Sequence, residues 1–299
     1  MKKQIISAQK TYRKTQSALI YILTILLAQR SYGANIIFDL GGVLLDQNYT
    51  EALNQFELSK KDYVWYMLTT GNNPRTRLFS LFDAIAPQTC QKYLPCDDHG
   101  KTLPALMCEW QRGSRSPEEI RDYILSYCQE HPTLTQSPLE HKIFTHMVIG
   151  MFTPEKFAAM QQWNAEGLAF LRFCKAQGHK IYVLSNWDAG SFTVMYQQPY
   201  FREIFDLFEG IMLSGHEHIT KPDPAYYHRL LETYQLDAKQ SIFIDDQLVN
   251  VRAARRVGIH SIWCRPLRSL LKPWRTYPDF AYVRTKFLAQ ERMLANKNS

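Results

Sequence analysis

The first residue in this chain placed to do chemistry is a carboxylate at the end of a short apolar run. Asp39 follows Ile36-Ile37-Phe38 and precedes Leu40-Gly41-Gly42. A β-branched and aromatic run closed by glycines predicts a buried strand. In an open α/β sheet the carboxyl edge of such a strand is where ligands bind. Three later segments bring polar groups to comparable positions. "KIYVLSN" ends in Ser185-Asn186, "SIFIDD" ends in Asp245-Asp246, and "ITKPDPAYY" sets Lys221 just ahead of a proline-led helix. Singly, each has a plain use as a cap, a turn residue or a solvated charge. Together they deliver a carboxylate, a hydroxyl, a lysine and two more carboxylates to one edge.

That set suits phosphoryl transfer through an aspartyl-phosphate. Asp39 is the expected nucleophile, and Ser185, Asn186 and Lys221 are the groups expected to hold and neutralise phosphate oxygens. Two anions repel, so a hard cation with oxygen ligands is expected between them, and Mg²⁺ fits. Asp39 and Asp246 are its expected direct ligands, Asp245 binds directly or through water, and the Gly41 carbonyl adds a further oxygen.

The elements that must position these residues are legible beyond residue 160, where helix and strand signals alternate. "LAFLRFCKAQGHK" reads as an amphipathic helix closed by Gly178, and strands are expected at 180–186, within 207–215, at 241–246 and at 260–264. Alternating βα units predict an α/β fold with a Rossmann-like, doubly wound parallel sheet, built from residues 35–49 and 160–264. Residues 50–159 break the rhythm. Their helical stretches carry Pro and Gly punctuation, and Ser116 with Pro117 and two acids marks a helix start. They read as a mostly helical cap inserted after the first strand.

Charge is unevenly placed along the 299 residues. The net charge is +7, but residues 1–34 hold six bases and no acid, and residues 265–299 hold eight bases against two acids. The segment between them sums to −5. Such a body is not expected to bind nucleic acid. A small phosphorylated molecule is the expected partner. Residues 1–34 combine a basic start, the apolar "ALIYILTILLA" and the small residues of "SYGA". That stretch is shorter than the roughly 20 apolar residues of a membrane span, so a cleaved export signal is expected, with membrane contact only if it is retained. Export would permit disulfides among Cys90, Cys96, Cys108 and Cys128, whereas Cys174 and Cys264 lie in apolar contexts that suit buried thiols. The basic extension 265–299 carries Trp274, Tyr277, Phe280 and Tyr282, expected to pack rather than to grip phosphate backbones.

"FDLGGVLLD", "VLSN", "KPDPAYY" and "FIDDQLVNVRAARRVGIHSI" resemble the four ordered motifs of the haloacid dehalogenase superfamily, most closely its phosphatases with a helical cap after the first strand. "EWQRGSRSPEE" resembles a segment of that cap. One position departs. The family's usual second acid, which protonates the leaving group and later activates water, is here Gly41, a form shared by some members including sugar-phosphate phosphatases. Losing a general acid or base costs about 10² to 10⁴ in rate. The departure favours a leaving group that needs no proton, such as an anomeric or acyl phosphate, with Asp46 or a metal-ordered water as the substitute. The resemblance also admits a metal-free 2-haloacid dehalogenase using the same aspartate, and a weakened member kept for binding. The Asp245-Asp246 pair favours the phosphatase. Within the cap, Arg75, Arg77, His99, Trp110 and Arg112 are the candidate substrate contacts.

Overall fold

The computed structural model describes residues 33–85, 103–268 and 276–297. Nearly all of the expected export segment, together with Cys90, Cys96, His99 and Trp274, lies outside the described residues.

Among the described residues nine strands follow in chain order: β1 (Asn35–Phe38), β2 (Leu45–Gln47), β3 (Gln161–Trp163), β4 (Lys180–Ser185), β5 (Gly210–Leu213), β6 (Ser241–Asp245), β7 (His260–Trp263), β8 (Pro266–Arg268) and β9 (Thr276–Pro278). Five of them form the central sheet in the order β5-β4-β1-β6-β7, parallel throughout. β1 lies in the middle, with chain progression running outward on either side. That is the doubly wound arrangement, and its switch point falls at the carboxyl ends of β1, β4 and β6.

Both faces of the sheet are covered, which is why its strands read as unbroken apolar runs. Ile36, Phe38, Ile181, Val183, Ile242 and Ile244 face one layer, packed with Phe170, Leu171, Phe280, Val283 and Phe287. Ile37, Tyr182, Leu184 and Phe243 face the other, against Tyr226, Tyr227, Leu230, Ala253 and Ala254. The register pairs Phe38 with Val183 and with Ile244, so the residues that follow leave the sheet at one level.

Between β2 and β3 the chain runs through helices Tyr49–Gln55, Lys60–Thr70, Pro74–Ile85, Ala105–Gln111, Pro117–Glu130, Pro138–Met151 and Pro154–Ala159. The insertion has a core of its own, centred on Leu78, Phe82, Ile120, Ile124, Phe144, Met147 and Phe152. Ser116 accepts from Glu119 N while the Glu119 side chain accepts from Ser116 N, a closed capping box at the Pro117–Glu130 helix. The chain leaves and re-enters the core at one stem, because β2 and β3 pair antiparallel with Leu45 opposite Trp163. Three-residue strands carry no readable alternation, so this stem has no counterpart in the sequence reading.

At the other end of the chain, β8 and β9 form a hairpin and the helix Phe280–Lys297 buries Phe280, Val283, Phe287 and Leu294 against the sheet. Tyr277 stays exposed. Cys128, Cys174 and Cys264 are buried free thiols, and Cys108 is buried as well. Burial in apolar surroundings pushes the Cys128 thiol up to about 11.

Candidate active site

β1, β4 and β6 hand their terminal residues to one point. Asp39 N donates to Ile244 O at 3.0 Å, which extends the β1–β6 ladder by one residue and fixes the carboxylate at the sheet edge. Asp39 Oδ1 then accepts three donors: Leu40 N at 2.7 Å, Ser185 Oγ at 2.7 Å and Lys221 Nζ at 2.9 Å. No hydrogen bond from the described residues reaches Oδ2. One oxygen is held and the other is left for a reaction partner.

Lys221 is almost fully buried and also lies 2.7 Å from Asp245 Oδ2. Its place is set by Asn186, whose Nδ2 donates to Lys221 O at 3.0 Å and whose Oδ1 accepts from Lys221 N at 2.8 Å. Asn186 thereby positions the lysine with its carbonyl and one Nδ2 proton, and it also lines the cavity of Asp39, where its second Nδ2 proton has no acceptor among the described residues. Asp245 is fully buried behind the lysine. Its Oδ1 accepts from Gln247 N at 2.7 Å and from Asn250 Nδ2 at 3.1 Å, and its Oδ2 lies 3.2 Å from the same Asn250 nitrogen.

Asp246 is the carboxylate left open, since its Oδ1 is buried with no hydrogen-bond partner. Asp39, Asp245 and Asp246 each offer an oxygen within 4.8 Å of the others. Three carboxylates against one ammonium leave two negative charges in a desolvated pocket. Burial, then repulsion from Asp245 and Asp39, pushes the Asp246 carboxyl well above the ordinary range. Burial likewise moves Asp245 to about 6, against the pull of Lys221. Burial by itself would depress the Lys221 ammonium, but Asp245 and Asp39 outweigh it and the net shift is upward. Every partner of Asp245 is a donor, so the Asp245–Lys221 pair is ionised. An all-oxygen set with one orphaned oxygen, on a carboxylate whose charge is opposed by burial and by its two acid neighbours unless a cation offsets it, fits a hard divalent cation.

The two glycines after Leu40 differ in kind. Gly42 has φ +72°, and a Cβ there would stand 2.5 Å from Asp246 Oδ2, so the turn needs glycine for both conformation and space. Gly41 lies outside the left-handed region, and a Cβ would meet only Trp187 Cζ3 at 3.5 Å. Asp46, the expected substitute acid, does not line the cavity of Asp39. It sits on β2 and accepts from Asn164 Nδ2 at 2.7 Å.

Above the site is a cavity of about 270 Å³ with Asp39, Gly41, Ser185, Lys221 and Asp246 on its floor and Leu103, Trp110, Gln111 and Phe157 of the insertion over it. Of the insertion residues expected to touch substrate, Trp110 alone among the described residues lines this cavity. Arg77 is corrected to an internal tie, with Nε 2.7 Å from Glu140 Oε1 and Nη2 donating to Leu134 O at 3.2 Å. Arg112 donates to His218 O from Nε at 3.1 Å and from Nη2 at 2.9 Å, and so fastens the insertion to the core. Arg75 lines a neighbouring chamber.

Sequence reasoning missed Asn250, Gln247 and Tyr226. Asn250 falls one helical turn after the acid pair in "DDQLVN", within reach of an amide that steadies Asp245. Tyr226, in the quoted "KPDPAYY", places its hydroxyl 3.1 Å from Ser185 O and thereby steadies the β4 edge.

Residues 34–258 match the family of haloacid dehalogenase-like hydrolases. Among curated relatives, the sesquiterpene phosphatase astK of Aspergillus oryzae is 36% identical over 96 residues, 32% of this chain and 47% of the relative. The glyceraldehyde 3-phosphate phosphatase of Pyrococcus abyssi is 31% identical over 62 residues, 20% of this chain and 26% of the relative. The chain thus spans less than half the length of either. An HAD-like family hydrolase from Porphyromonas gingivalis superposes with a TM-score of 0.50 at 18% identity, covering 86% of this chain and 98% of that one, and shares the fold. Because the family match runs from Ala34 to Gly258, across β1, the whole insertion and the acid pair after β6, this chain belongs to the haloacid dehalogenase-like hydrolases.

Proposed function

We propose that the protein is a Mg²⁺-dependent phosphomonoester hydrolase acting on a small phosphorylated metabolite, with Asp39 as nucleophile. The carrying observation is the divided state of Asp39, whose Oδ1 takes three donors while its Oδ2 is left open. Asp39 Oδ2 attacks phosphorus, the P–O bond to the leaving group breaks, and the electron pair departs with that oxygen. Lys221 Nζ and Ser185 Oγ hold Asp39 and lie beside the incoming phosphoryl oxygens, offsetting their charge. Water then cleaves the aspartyl-phosphate and returns the carboxylate. A bound Mg²⁺ would be held by Asp39, Asp246 and the Gly41 carbonyl, with Asp245 behind them, and would offset repulsion between nucleophile and substrate.

The phosphatase names of the two curated relatives support the reaction class. The orphaned Asp246 oxygen favours this reading over a metal-free 2-haloacid dehalogenase, which has no use for it. Export of the chain by residues 1–34 is part of the proposal, and amino-terminal mapping of protein from the native cell tests it. The central test is Asp39→Asn, assayed on a panel of phosphate monoesters with Mg²⁺ and with chelator. Turnover is expected to vanish in the variant and in chelator at an unchanged fold. Wild-type activity in Asp39→Asn, or 2-chloropropionate hydrolysis that persists in chelator, overturns the reading.

A further inference from the structure

Where the family carries an acid, Gly41 leaves a gap, and the gap joins two spaces. A second chamber of about 390 Å³ adjoins the cavity of Asp39, and both are lined by Gly41, Phe157 and Trp187. A side chain at residue 41 would grow from a backbone that faces both, beside Trp187. The volume is that of a small-molecule pocket.

The outer chamber is polar, and two of its groups await a partner. Gln47 Oε1 is a buried acceptor with no donor. Arg75 lies with its guanidinium 5.3 Å from the centre of the Tyr49 ring and Nη1 3.5 Å from the Tyr49 hydroxyl, with no carboxylate in ion-pair range among the described residues. Its neighbours in the insertion are different, since Arg77 pairs with Glu140, Arg115 with Glu109 and Arg121 with Asp122. Gln161, Gln162 and Asp46 from the stem and Tyr277 from the carboxyl-terminal hairpin are the remaining polar lining, with the Asp46 carboxylate held by Asn164 Nδ2 at 2.7 Å. An apolar chain laid here would desolvate a guanidinium and leave the already buried amide oxygen unpaired. A hydroxylated, acid-ended group satisfies both, with its carboxylate on Arg75 and a hydroxyl donating to Gln47.

We propose that this outer chamber is the leaving-group subsite and that the substrate is the phosphate monoester of a polyhydroxylated acid, an inference that rests on the phosphatase reading above. The phosphoryl group sits on Asp39, the carbon chain passes Gly41 along the Trp187 and Phe157 rings, and the acidic end reaches Arg75.

The test uses the full chain with Mg²⁺ and four probes: 6-phosphogluconate, glucose 6-phosphate, farnesyl phosphate and acetyl phosphate. In the wild type, kcat/KM is expected to be highest for 6-phosphogluconate among the three alkyl phosphates. Arg75→Met and Gln47→Leu are each expected to lower the ratio of kcat/KM for 6-phosphogluconate over acetyl phosphate, by at least tenfold for Arg75→Met and severalfold for Gln47→Leu, chiefly through KM. In parallel, calorimetry measures 6-phosphogluconate binding to Asp39→Asn and to Asp39→Asn/Arg75→Met, with at least tenfold weaker binding expected in the second. An unchanged ratio in Arg75→Met, equal affinities in the calorimetric pair, or farnesyl phosphate preferred to 6-phosphogluconate overturns the subsite. Failure of the wild type to hydrolyse any probe, acetyl phosphate included, overturns the phosphatase reading instead, and the calorimetric pair still decides the subsite.

Discussion

Alanine at Gly42 and alanine at Gly41 are the same chemical change one residue apart, and the structure assigns them different outcomes. At Gly42, φ is +72°, where an L side chain costs about 1 to 2 kcal/mol. The new Cβ would also stand 2.5 Å from Asp246 Oδ2 and 2.9 Å from its Cγ, so the carboxylate must retreat to reach ordinary contact. That is the carboxylate whose Oδ1 is unpartnered, and moving it disturbs the proposed cation site directly. Changes in the shell around a metal typically cost about 10- to 100-fold in affinity. Gly42→Ala is therefore expected to lower the melting temperature in chelator by roughly 2 to 8 °C, taking about 2 to 4 °C per kcal/mol for a chain of this class. Its Mg²⁺ titration, followed as the rise in melting temperature, is expected to shift at least tenfold to higher concentration. Gly41→Ala meets only Trp187 at 3.5 Å and is expected to change stability by less than about 0.5 kcal/mol. Thermal melts of both variants across a Mg²⁺ series decide the matter. Indistinguishable melts and titrations for the two variants would refute the reasoning.

Lys221→Met removes the one cation between buried Asp39 and Asp245, and denaturant unfolding in chelator is expected to show a loss of about 3 to 5 kcal/mol together with abolished turnover. A loss under 1 kcal/mol there would mean that the carboxylates are not charged as described. His179 gives a pH dependence away from the site: Nδ1 accepts from Ala34 N at 3.1 Å and Nε2 donates to Glu291 Oε1 at 3.1 Å, so the ring is neutral, and burial, opposed by Glu291, lowers its pKa from 6.5. The unfolded chain then binds the extra proton first, so stability present above about pH 6.5 is lost as pH falls toward the lower folded-state value; melts from pH 7.5 to 5 are expected to show this, and an identical slope in His179→Asn would count against it. With an aryl phosphate, which leaves without a proton, the missing acid at Gly41 is expected to make hydrolysis of the aspartyl-phosphate limiting, seen as a burst of one equivalent of phenol before a slow steady rate. A rate that instead tracks leaving-group basicity, with no burst, would place the slow step in the first half.

The strand ends were legible for a physical reason. A parallel strand buried on both faces has no polar residue to spare, so the first one that breaks the run, Asp39, Ser185 or Asp245, marks the carboxyl edge. Lys221 was legible through the prolines that follow it. Partners far apart in sequence were not. Arg77 finds Glu140 sixty-three residues on, and Arg112 finds the His218 carbonyl 106 residues on, so neither fate is written in local spacing. The amide pairs were hidden for a related reason. Asn186 and Asn250 look like ordinary helix-end and helix-surface residues, and only the fold shows that one grips the Lys221 backbone and the other the Asp245 carboxylate. Gly41 and Gly42 were legible as a departure and a turn, but which of the two could bear a side chain depended on where Asp246 and Trp187 came to rest.

The insertion is held to the core on two sides of the cavity, and this bears on what the missing acid implies. On one side the β2–β3 stem carries it. On the other, Ser214 Oγ donates to Gln111 O at 2.6 Å, Arg112 donates twice to His218 O, and His218 Nδ1 lies 2.8 Å from Arg112 O. There the backbones approach so closely that a Cβ on Gly113 would stand 2.5 Å from Gly215 O. Between these attachments Trp110 and Phe157, ring centres 5.0 Å apart, are held over Asp39. A roof fixed at both ends narrows access to Asp39, and where substrate displaces water beneath it the fixed dipoles and charges of Ser185, Lys221 and the Leu40 amide act with less screening than they would in solvent. On the mechanism proposed above, chemistry without proton transfer at Gly41 would depend more heavily on that electrostatic share, so the residues that seat the roof, Arg112 and Ser214 above all, are expected to support the reaction although neither is among the residues lining the cavity of Asp39.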